Sequence, residues 1–321
     1  MSVQGLNRSA DIGDKMLQVL VDESEINFEK YLDPIPEAER VKPAQSYEQA
    51  LIDRFYGQDP DPGCYLPWQK THSQFKFRPG ELSVWAGTNS HGKSMLLSQI
   101  VLYLMAQSQK CCIASMEMKP LATLQRQARQ FVGSEAPTIE ALREYMAWCL
   151  GKLWIYDQIG TVKAERMLAV VRHCIKELGI QHFVIDSLMK CGIGSDDYNR
   201  QKHFIDELST VAKDSGAHVH LVAHSRKGDT EHKVIDKFDI KGAGEITDMA
   251  DNVLIVWKNR QKEDADDSTE PDAMLIIDKQ RNGEHTPKYR LYYHQPSFQS
   301  MTWAGDGKAI PDHYQRCRWM A

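Results

Sequence analysis

This 321-residue sequence lacks three features: closely spaced C-x-x-C cysteine pairs, long apolar runs and a net positive charge. The seven cysteines form no C-x-x-C pair, which argues against a zinc ribbon and favours reduced thiols in the cytosol. No apolar run reaches the length of a transmembrane helix, and the polar start MSVQGLNRSADIGDK does not resemble a signal peptide. We therefore expect a cytoplasmic protein with no membrane partner.

The overall charge is slightly acidic, with a formal net value of −5. Such a chain does not bind polyanions through its total charge, so any contact with nucleic acid must come from local basic loops. A hydrophobic content of 42% with 26% charged residues is typical of a globular protein with a large core.

From about residue 66 onward, strand-like and helical patterns alternate. This alternation predicts an α/β fold in which a mostly parallel, twisted sheet carries helices on both faces and has an antiparallel edge near its end. Strands are predicted at residues 82–86, 111–116, 153–156, 182–185, 218–223, 253–257, 274–279 and 289–293. Helices are predicted at residues 93–107, 120–132, 139–149, 162–178 and 200–213.

Residues 1–65 differ from the rest because they are rich in acidic residues and proline and show little apolar periodicity. Within them, SYEQALIDRFYG at residues 46–57 has the pattern of an amphipathic helix, and the QDPDPG turn at residues 58–63 follows it. We expect an N-terminal arm at residues 1–65 and one larger domain at residues 66–321.

The segment GTNSHGKS, at residues 87–94, fits the phosphate-binding pattern G-x-x-x-x-G-K-[ST]. A strand pattern precedes it and a helical pattern follows it, as this loop requires. Lys93 is expected to reach the β- and γ-phosphate oxygens and Ser94 to offer its hydroxyl to Mg²⁺, so the predicted cofactors are ATP and Mg²⁺. The other expected nucleotide contacts in the loop are Gly87, Asn89, Ser90, His91 and Gly92.

Two carboxylates follow later strands. Asp186 ends the apolar run HFVIDS and is a candidate Mg²⁺ ligand beside the phosphate-binding loop. Glu117 ends CCIASMEMK and has two readings: a general base for the attacking water, or a residue that caps the helix starting near Pro120. Sequence position alone does not decide between them.

Histidine and basic residues end two further strands. In HVHLVAHSRKG we interpret His218 and His220 as strand-face residues and His224 as a candidate sensor of the γ-phosphate. In LIIDKQRNG, Lys279 and Arg281 lie two residues apart and suit a phosphate contact, including one in a neighbouring subunit's site. Taken alone, a solvated strand end is the simpler reading of this pair.

Six segments in order resemble the motifs of DnaB-type ring helicases, closest to the helicase half of phage primase–helicases and to mitochondrial Twinkle. The segments are GTNSHGKS, ASMEMK, FVIDS, LVAHSRKG, IKGAGEITDMADNVLIVWKNR and DKQRNG, and the resemblance covers about residues 64–300. It implies a RecA-like P-loop ATPase core, the cytoplasm of a bacterial cell or phage-infected host, and a homo-hexamer or related ring. It also implies 5′→3′ movement on single-stranded DNA that unwinds the duplex.

The same resemblance assigns roles to residues. It implies that Lys93 and Ser94 serve phosphate and Mg²⁺, Asp186 the metal, Glu117 the water, and His224 the sensing of phosphate. Arg281, with Lys279, would act across the subunit boundary in catalysis, and Arg260 and Tyr293 would hold the adenine.

Two loops would line the central DNA channel of such a ring. The first, at residues 189–202, contains Lys190 and Arg200; the second, at residues 225–245, is rich in lysine. DNA-binding candidates in the second loop are Arg226, Lys227, Lys233, Lys237, Lys241, Gly242 and Gly244. Without the family context, a solvated lysine loop is the favoured reading.

The N-terminal region departs from the family pattern, since it has no Cys-rich motif and only about sixty-five residues before the core. We expect no primase activity and a linker helix at about residues 46–57 that packs on the next subunit, with a separate primase, loader or polymerase as possible partners. Two alternatives stay open: a RecA- or RadA-type recombination ATPase, and a DNA-binding accessory protein with vestigial hydrolysis.

Overall fold

The computed structural model describes residues 20–21, 24, 26–32, 43–57, 62–194, 197–224, 247–260, 262 and 270–302. Its strands are β1 (Leu20–Val21), β2 (Leu82–Ala86), β3 (Cys111–Ser115), β4 (Leu153–Tyr156), β5 (His182–Asp186), β6 (His218–Val222), β7 (Asn252–Lys258), β8 (Ala273–Gln280), β9 (Lys288–His294) and β10 (Gln299–Thr302). Its α-helices are α1 (Phe28–Leu32), α2 (Glu48–Tyr56), α3 (Lys93–Ala106), α4 (Pro120–Val132), α5 (Ile139–Cys149), α6 (Ala164–Leu178) and α7 (Tyr198–Ser215). Short 3-10 helices lie at Ala44–Tyr47, Gln69–Thr71 and Leu188–Lys190.

These strands form one sheet in the order β1-β4-β3-β5-β6-β2-β7-β8-β9-β10. Every pair from β1 to β7 is parallel, and β8, β9 and β10 are added antiparallel to one another and to β7. The predicted fold, a mostly parallel sheet with an antiparallel edge, is confirmed. The sequence pattern does not predict β1 or β10, because β1 has two residues and β10 (QSMT) is mostly polar.

The central strands are buried on both faces, which explains their nearly continuous apolar sequences. Strands β2, β3, β5 and β6 are buried at every position. Successive side chains of β2 enter different apolar clusters, with Val84 on one side of the sheet and Trp85 on the other. Helices therefore cover both faces. No helix within the described ranges is long and apolar enough to cross a membrane.

Part of the N-terminal region joins this sheet. Strand β1 pairs in parallel with β4, and α1 packs on α6. Arg172 donates a hydrogen bond of 2.9 Å to the carbonyl oxygen of Tyr31, and the Tyr31 hydroxyl and the Lys30 ammonium both contact Glu177. Strand β1 and helix α1 thus extend the core, although the sequence pattern placed them in a separate arm.

Helix α2 forms within the predicted segment 46–57 and buries none of its residues. Its apolar side chains are exposed, including Leu51 at 58% and Phe55 at 70%. A nine-residue helix is too short to be stable in water without tertiary contacts.

Three buried histidines lie at the edge of the sheet where β5 and β6 begin. Their rings are held by hydrogen bonds: Trp85 donates to His220 Nδ1 at 3.2 Å, and His220 Nε2 lies 3.1 Å from His182 Nδ1. His218 lies between the Ser83 hydroxyl, at 2.8 Å, and the carbonyl oxygen of Arg78, at 2.7 Å. His218 and His220 are strand-face residues, as predicted.

The partners of each ring define its neutral tautomer. Because Trp85 donates to His220 Nδ1, the proton of His220 sits on Nε2 and points at His182. Because a carbonyl oxygen accepts from His218 Nδ1, the Nε2 of His218 accepts from Ser83. Burial lowers the pKa of His218 to about 4 and the pKa of His182 and of His220 well below the usual value.

We expect this cluster to make the fold sensitive to acid. A histidine that is neutral when folded but takes up a proton near pH 6.5 when unfolded stabilises the fold fully above pH ~6.5 and progressively less as the pH falls toward its folded pKa. Chemical denaturation between pH 7.5 and pH 4.5 measures this loss. The glutamine in His220→Gln supplies an acceptor and a donor but does not titrate. In this variant the slope of the unfolding free energy against pH should shrink by up to ~1.4 kcal/mol per pH unit.

His203→Gln is the matched control, because His203 is exposed on α7. An acid slope that is the same in His220→Gln as in the wild type and the control would contradict this prediction.

Candidate nucleotide-binding site

The phosphate-binding loop joins the end of β2 to the start of α3. Gly87 has φ +156°, and a Cβ there would lie 2.5 Å from the carbonyl oxygen of Val256 on β7, so the loop can pass this strand only with glycine. Gly92 has φ +82° and precedes the first turn of α3. The N-terminal amides of α3 and its dipole therefore face the loop, which is the arrangement that binds phosphate.

Lys93 is buried beneath the loop. Its Nζ donates to the carbonyl oxygens of Gly87 at 2.7 Å and Thr88 at 3.0 Å. Burial lowers the pKa of this lysine to about 8, against the opposing charges of Asp186 and Glu117. The ammonium is thus held by neutral carbonyl acceptors, for which phosphate oxygens are stronger substitutes.

Asp186 and Ser94 form the oxygen pair beside Lys93. Asp186 ends β5, is 8% exposed and accepts a hydrogen bond from the Ser94 side chain. Burial raises the pKa of Asp186, with Glu117 adding to the rise, while Ser94, Lys93 and Arg126 oppose it. A hydroxyl and a carboxylate at a helix N-terminus are the hard oxygen ligands that Mg²⁺ prefers, so these residues fit a magnesium–nucleotide complex.

Glu117 lies just beyond β3 and faces the cleft. Helix α4 begins at Pro120, and its N-cap residue Lys119 makes no side-chain cap hydrogen bond. The Ser187 hydroxyl donates to Glu117 Oε1 at 3.3 Å, and His224 Nε2 lies 3.2 Å from the same hydroxyl. A serine therefore joins the base candidate to the sensor candidate, a connection that the sequence reading does not include.

These side chains border one open cavity of about 570 Å³. Its walls contain nine of the predicted site residues: Asn89, Ser90, Gly92, Lys93, Ser94, Glu117, Asp186, Lys190 and His224. They also contain residues that sequence reasoning missed: Met95, Arg126, Thr161 and Met189. The cavity is large enough for a ligand of nucleotide size.

Arg126 is the most informative of the missed residues. It projects from α4 into the cavity, its charge acts on Asp186, and burial lowers its pKa. One Nη atom lies 2.9 Å from Met118 Sδ, which orients the guanidinium. An arginine on an amphipathic helix normally faces solvent, so the sequence carries no signal for this position.

Lys279 and Arg281 lie on one face but at the opposite end of the sheet. Lys279 Nζ donates to the carbonyl oxygens of Thr247 and Asp248, and Arg281 lies 3.3 Å from Asp251 Oδ1. The pairing of β8 with β7 and of β7 with β2 sets Arg281 level with the start of β2. At ~3.3 Å per residue it lies roughly 16 Å from the phosphate-binding loop of its own chain, beyond the reach of an arginine side chain.

Residues 73–300, more than half of the chain, match the family described as DnaB-like helicase C terminal domain. The chain belongs to this family. The resemblance stated from the motifs is thereby confirmed.

The chain also matches a curated relative in sequence. A DNA helicase/primase of Enterobacteria phage T3 is 24% identical over 116 residues, which are 33% of this chain and 20% of that protein. The chain thus matches only a fifth of the length of that relative.

Two solved structures share the fold. One is an ATPase domain that has a TM-score of 0.68 at 14% identity and matches 82% of this chain and 100% of that one. A DnaB-like replicative helicase, described with its interactions with primase, has a TM-score of 0.69 at 13% identity and matches 84% of this chain and 70% of that one. The expected RecA-like α/β core is confirmed.

Arg260 and Tyr293, the expected adenine contacts, interact with different residues. The charge of Arg260 acts on His91, whose pKa is lowered to about 4, first by burial. Tyr293 stacks on Phe298, and the Arg129 guanidinium lies 3.5 Å from the centre of the Phe298 ring. A joint grip of Arg260 and Tyr293 on adenine stays a prediction.

The two described DNA-binding candidates, Lys190 and Arg200, lie in different surroundings. Lys190 lines the nucleotide cavity and is half-buried, whereas Arg200 is exposed in the first turn of α7, 3.7 Å from Glu165. The second-loop candidates lie outside the described residues: Arg226, Lys227, Lys233, Lys237, Lys241, Gly242 and Gly244.

Proposed function

We propose that this DnaB-like chain is an ATP-driven DNA helicase that assembles as a hexameric or related ring and moves 5′→3′ on single-stranded DNA. The nucleotide cavity carries the proposal. It gathers Lys93, Ser94, Asp186 and Glu117 at one edge of the sheet, while the basic pair Lys279 and Arg281 lies at the far edge. A site divided in this way is complete only where two copies meet.

The residues of the cavity have separate tasks. Lys93 and the N-terminal amides of α3 bind the β- and γ-phosphates, and Ser94 and Asp186 hold the metal ion. A Mg²⁺ ion held by Ser94 and Asp186 would supply Lewis-acid chemistry that neutralises phosphate charge. Glu117 accepts a proton from the attacking water, and His224 donates a hydrogen bond to the γ-phosphate.

DNA binding is assigned to the lysine-rich segment at residues 225–245. A protein with a net charge of −5 can bind a phosphate backbone through a loop of this kind if several copies of the loop converge on one axis. Hydrolysis around the ring would then move these loops in turn.

We expect the protein to unwind a forked duplex with a 5′ single-stranded tail in an ATP-dependent reaction. Lys93→Ala should lower hydrolysis and unwinding by at least ~100-fold, because the ammonium stabilises the phosphate charge that develops in the transition state. The measurements are strand displacement and phosphate release with and without single-stranded DNA.

Lys213→Ala is the control for this experiment, since Lys213 is an exposed lysine in the last turn of α7. Filaments with strand exchange in place of rings would instead support a recombination ATPase. The lack of any DNA-stimulated hydrolysis would support an accessory protein.

We further propose that α2 is the linker helix and packs on a neighbouring copy. Its apolar face (Leu51, Ile52, Phe55 and Tyr56) is exposed in the single chain. Exposed apolar side chains also occur on α4 and α5, at Leu121, Ile139 and Leu142. Burial of apolar side chains of this size contributes ~1.5–3 kcal/mol each, so such a contact stabilises a ring substantially.

The double substitution Leu51→Glu with Phe55→Glu should shift assemblies toward single chains, because two carboxylates would have to be buried in the contact. Mass photometry at fixed protein and nucleotide concentration measures the shift. Ala50→Glu is the matched control, since a glutamate there can pair with Arg54 one turn later. Rings that persist unchanged in the double variant would exclude this role for α2.

Arg281 should act on the nucleotide bound by the neighbouring copy. Arg281→Ala chains keep an intact cavity, and Lys93→Ala chains keep Arg281, so each variant alone should be inactive. Mixing them should restore hydrolysis, because about a quarter of the interfaces in a randomly mixed ring would pair an intact cavity with an intact arginine. A mixture as inactive as its components would place Arg281 outside the neighbour's site.

A further inference from the structure

Ser187 lies between two candidate catalytic residues, Glu117 after β3 and His224 after β6. It follows Asp186 directly, is fully buried, and its hydroxyl contacts Glu117 Oε1 at 3.3 Å and His224 Nε2 at 3.2 Å. No motif identified in the sequence assigns Ser187 a role. Its side chain nonetheless bridges the two residues to which the proposed function gives proton acceptance and phosphate sensing.

The direction of these hydrogen bonds follows from the groups themselves. A carboxylate only accepts, so the single hydroxyl proton of Ser187 is donated to Glu117. The Ser187 oxygen must then accept from His224, which places a proton on Nε2 of that ring. Donation therefore runs in one line from His224 through Ser187 to Glu117.

We propose that Ser187 is a positioning residue that couples the orientation of Glu117 to that of His224. This inference rests on the proposed function, in which Glu117 is the base and His224 the sensor. If His224 donates its Nε2–H to a phosphate oxygen, it no longer donates this hydrogen bond to Ser187. The hydroxyl would then be free to reorient, and the hold on the Glu117 carboxylate would change with the state of the nucleotide.

The backbone contacts of Ser187 do not depend on its hydroxyl. Its carbonyl oxygen accepts from the Lys190 amide at 2.9 Å and lies 3.8 Å from Cys191 Sγ. Both contacts are retained when the side chain is shortened to alanine. Ser187→Ala therefore removes the bridge and leaves the local turn in place.

Ser187→Ala should reduce kcat for DNA-stimulated ATP hydrolysis by roughly 10- to 100-fold, the usual effect of losing a partner that orients a reactive group. The dissociation constant of a non-hydrolysable ATP analogue should change by less than about twofold, because the phosphate-binding residues are untouched. Ser187→Thr keeps the hydroxyl and should restore most of the rate. Ser209→Ala, at a buried serine of α7, is the matched control.

Two measurements separate positioning from a purely structural role. Ser187→Ala combined with His224→Ala should be no slower than the slower single variant, because both act through one line of hydrogen bonds. Nitrogen-15 NMR of the histidine rings should show His224 protonated at Nε2 in the nucleotide-free wild type and a mixture of tautomers in Ser187→Ala.

An unchanged kcat in Ser187→Ala, or a rate loss matched by an equal loss of analogue binding and thermal stability, would overturn the inference while wild-type hydrolysis is normal. An additive double variant would also overturn it. A wild-type protein that does not hydrolyse ATP would remove the proposed function, and this inference with it.

Discussion

The parallel register of β3, β5, β6 and β2 is the constraint on which the rest of the structure depends. Because adjacent parallel strands end at the same edge, residues far apart in the chain arrive side by side: Lys93 after β2, Glu117 after β3, Asp186 at the end of β5 and His224 after β6. The helices hold this register by burying both faces of the sheet. The cavity is thus a product of strand pairing.

Burial shifts the pKa values of the charged groups at this edge in opposite directions. It raises the pKa of Asp186 and lowers the pKa of Lys93, and each charge partly offsets the effect on the other. The Ser94 hydroxyl and the loop carbonyls supply the remaining hydrogen bonds. A bound phosphate would place negative charge opposite Lys93, and its metal ion would place positive charge opposite Asp186. Opposite charges interact more strongly in an apolar surrounding than in water.

The antiparallel edge keeps Arg281 away from the nucleotide cavity of its own chain. Strand β8 returns in the opposite direction to β7, so its last residues, and Arg281 after them, come to the end of the sheet away from the phosphate-binding loop. In addition, the apolar face of α2 is exposed in the single chain. Both features acquire a physical explanation when copies of the chain associate.

The sequence alone determined the order of the central strands and helices, the phosphate-binding loop and the family, because these depend on local periodicity and on motifs contiguous in the chain. It could not show that Arg126 enters the cavity, that Ser187 joins Glu117 to His224, or that β1 extends the sheet, since each depends on neighbours distant in sequence. Only tertiary packing decided these points, because strand register fixes which side chains share an edge and burial fixes their partners and charge.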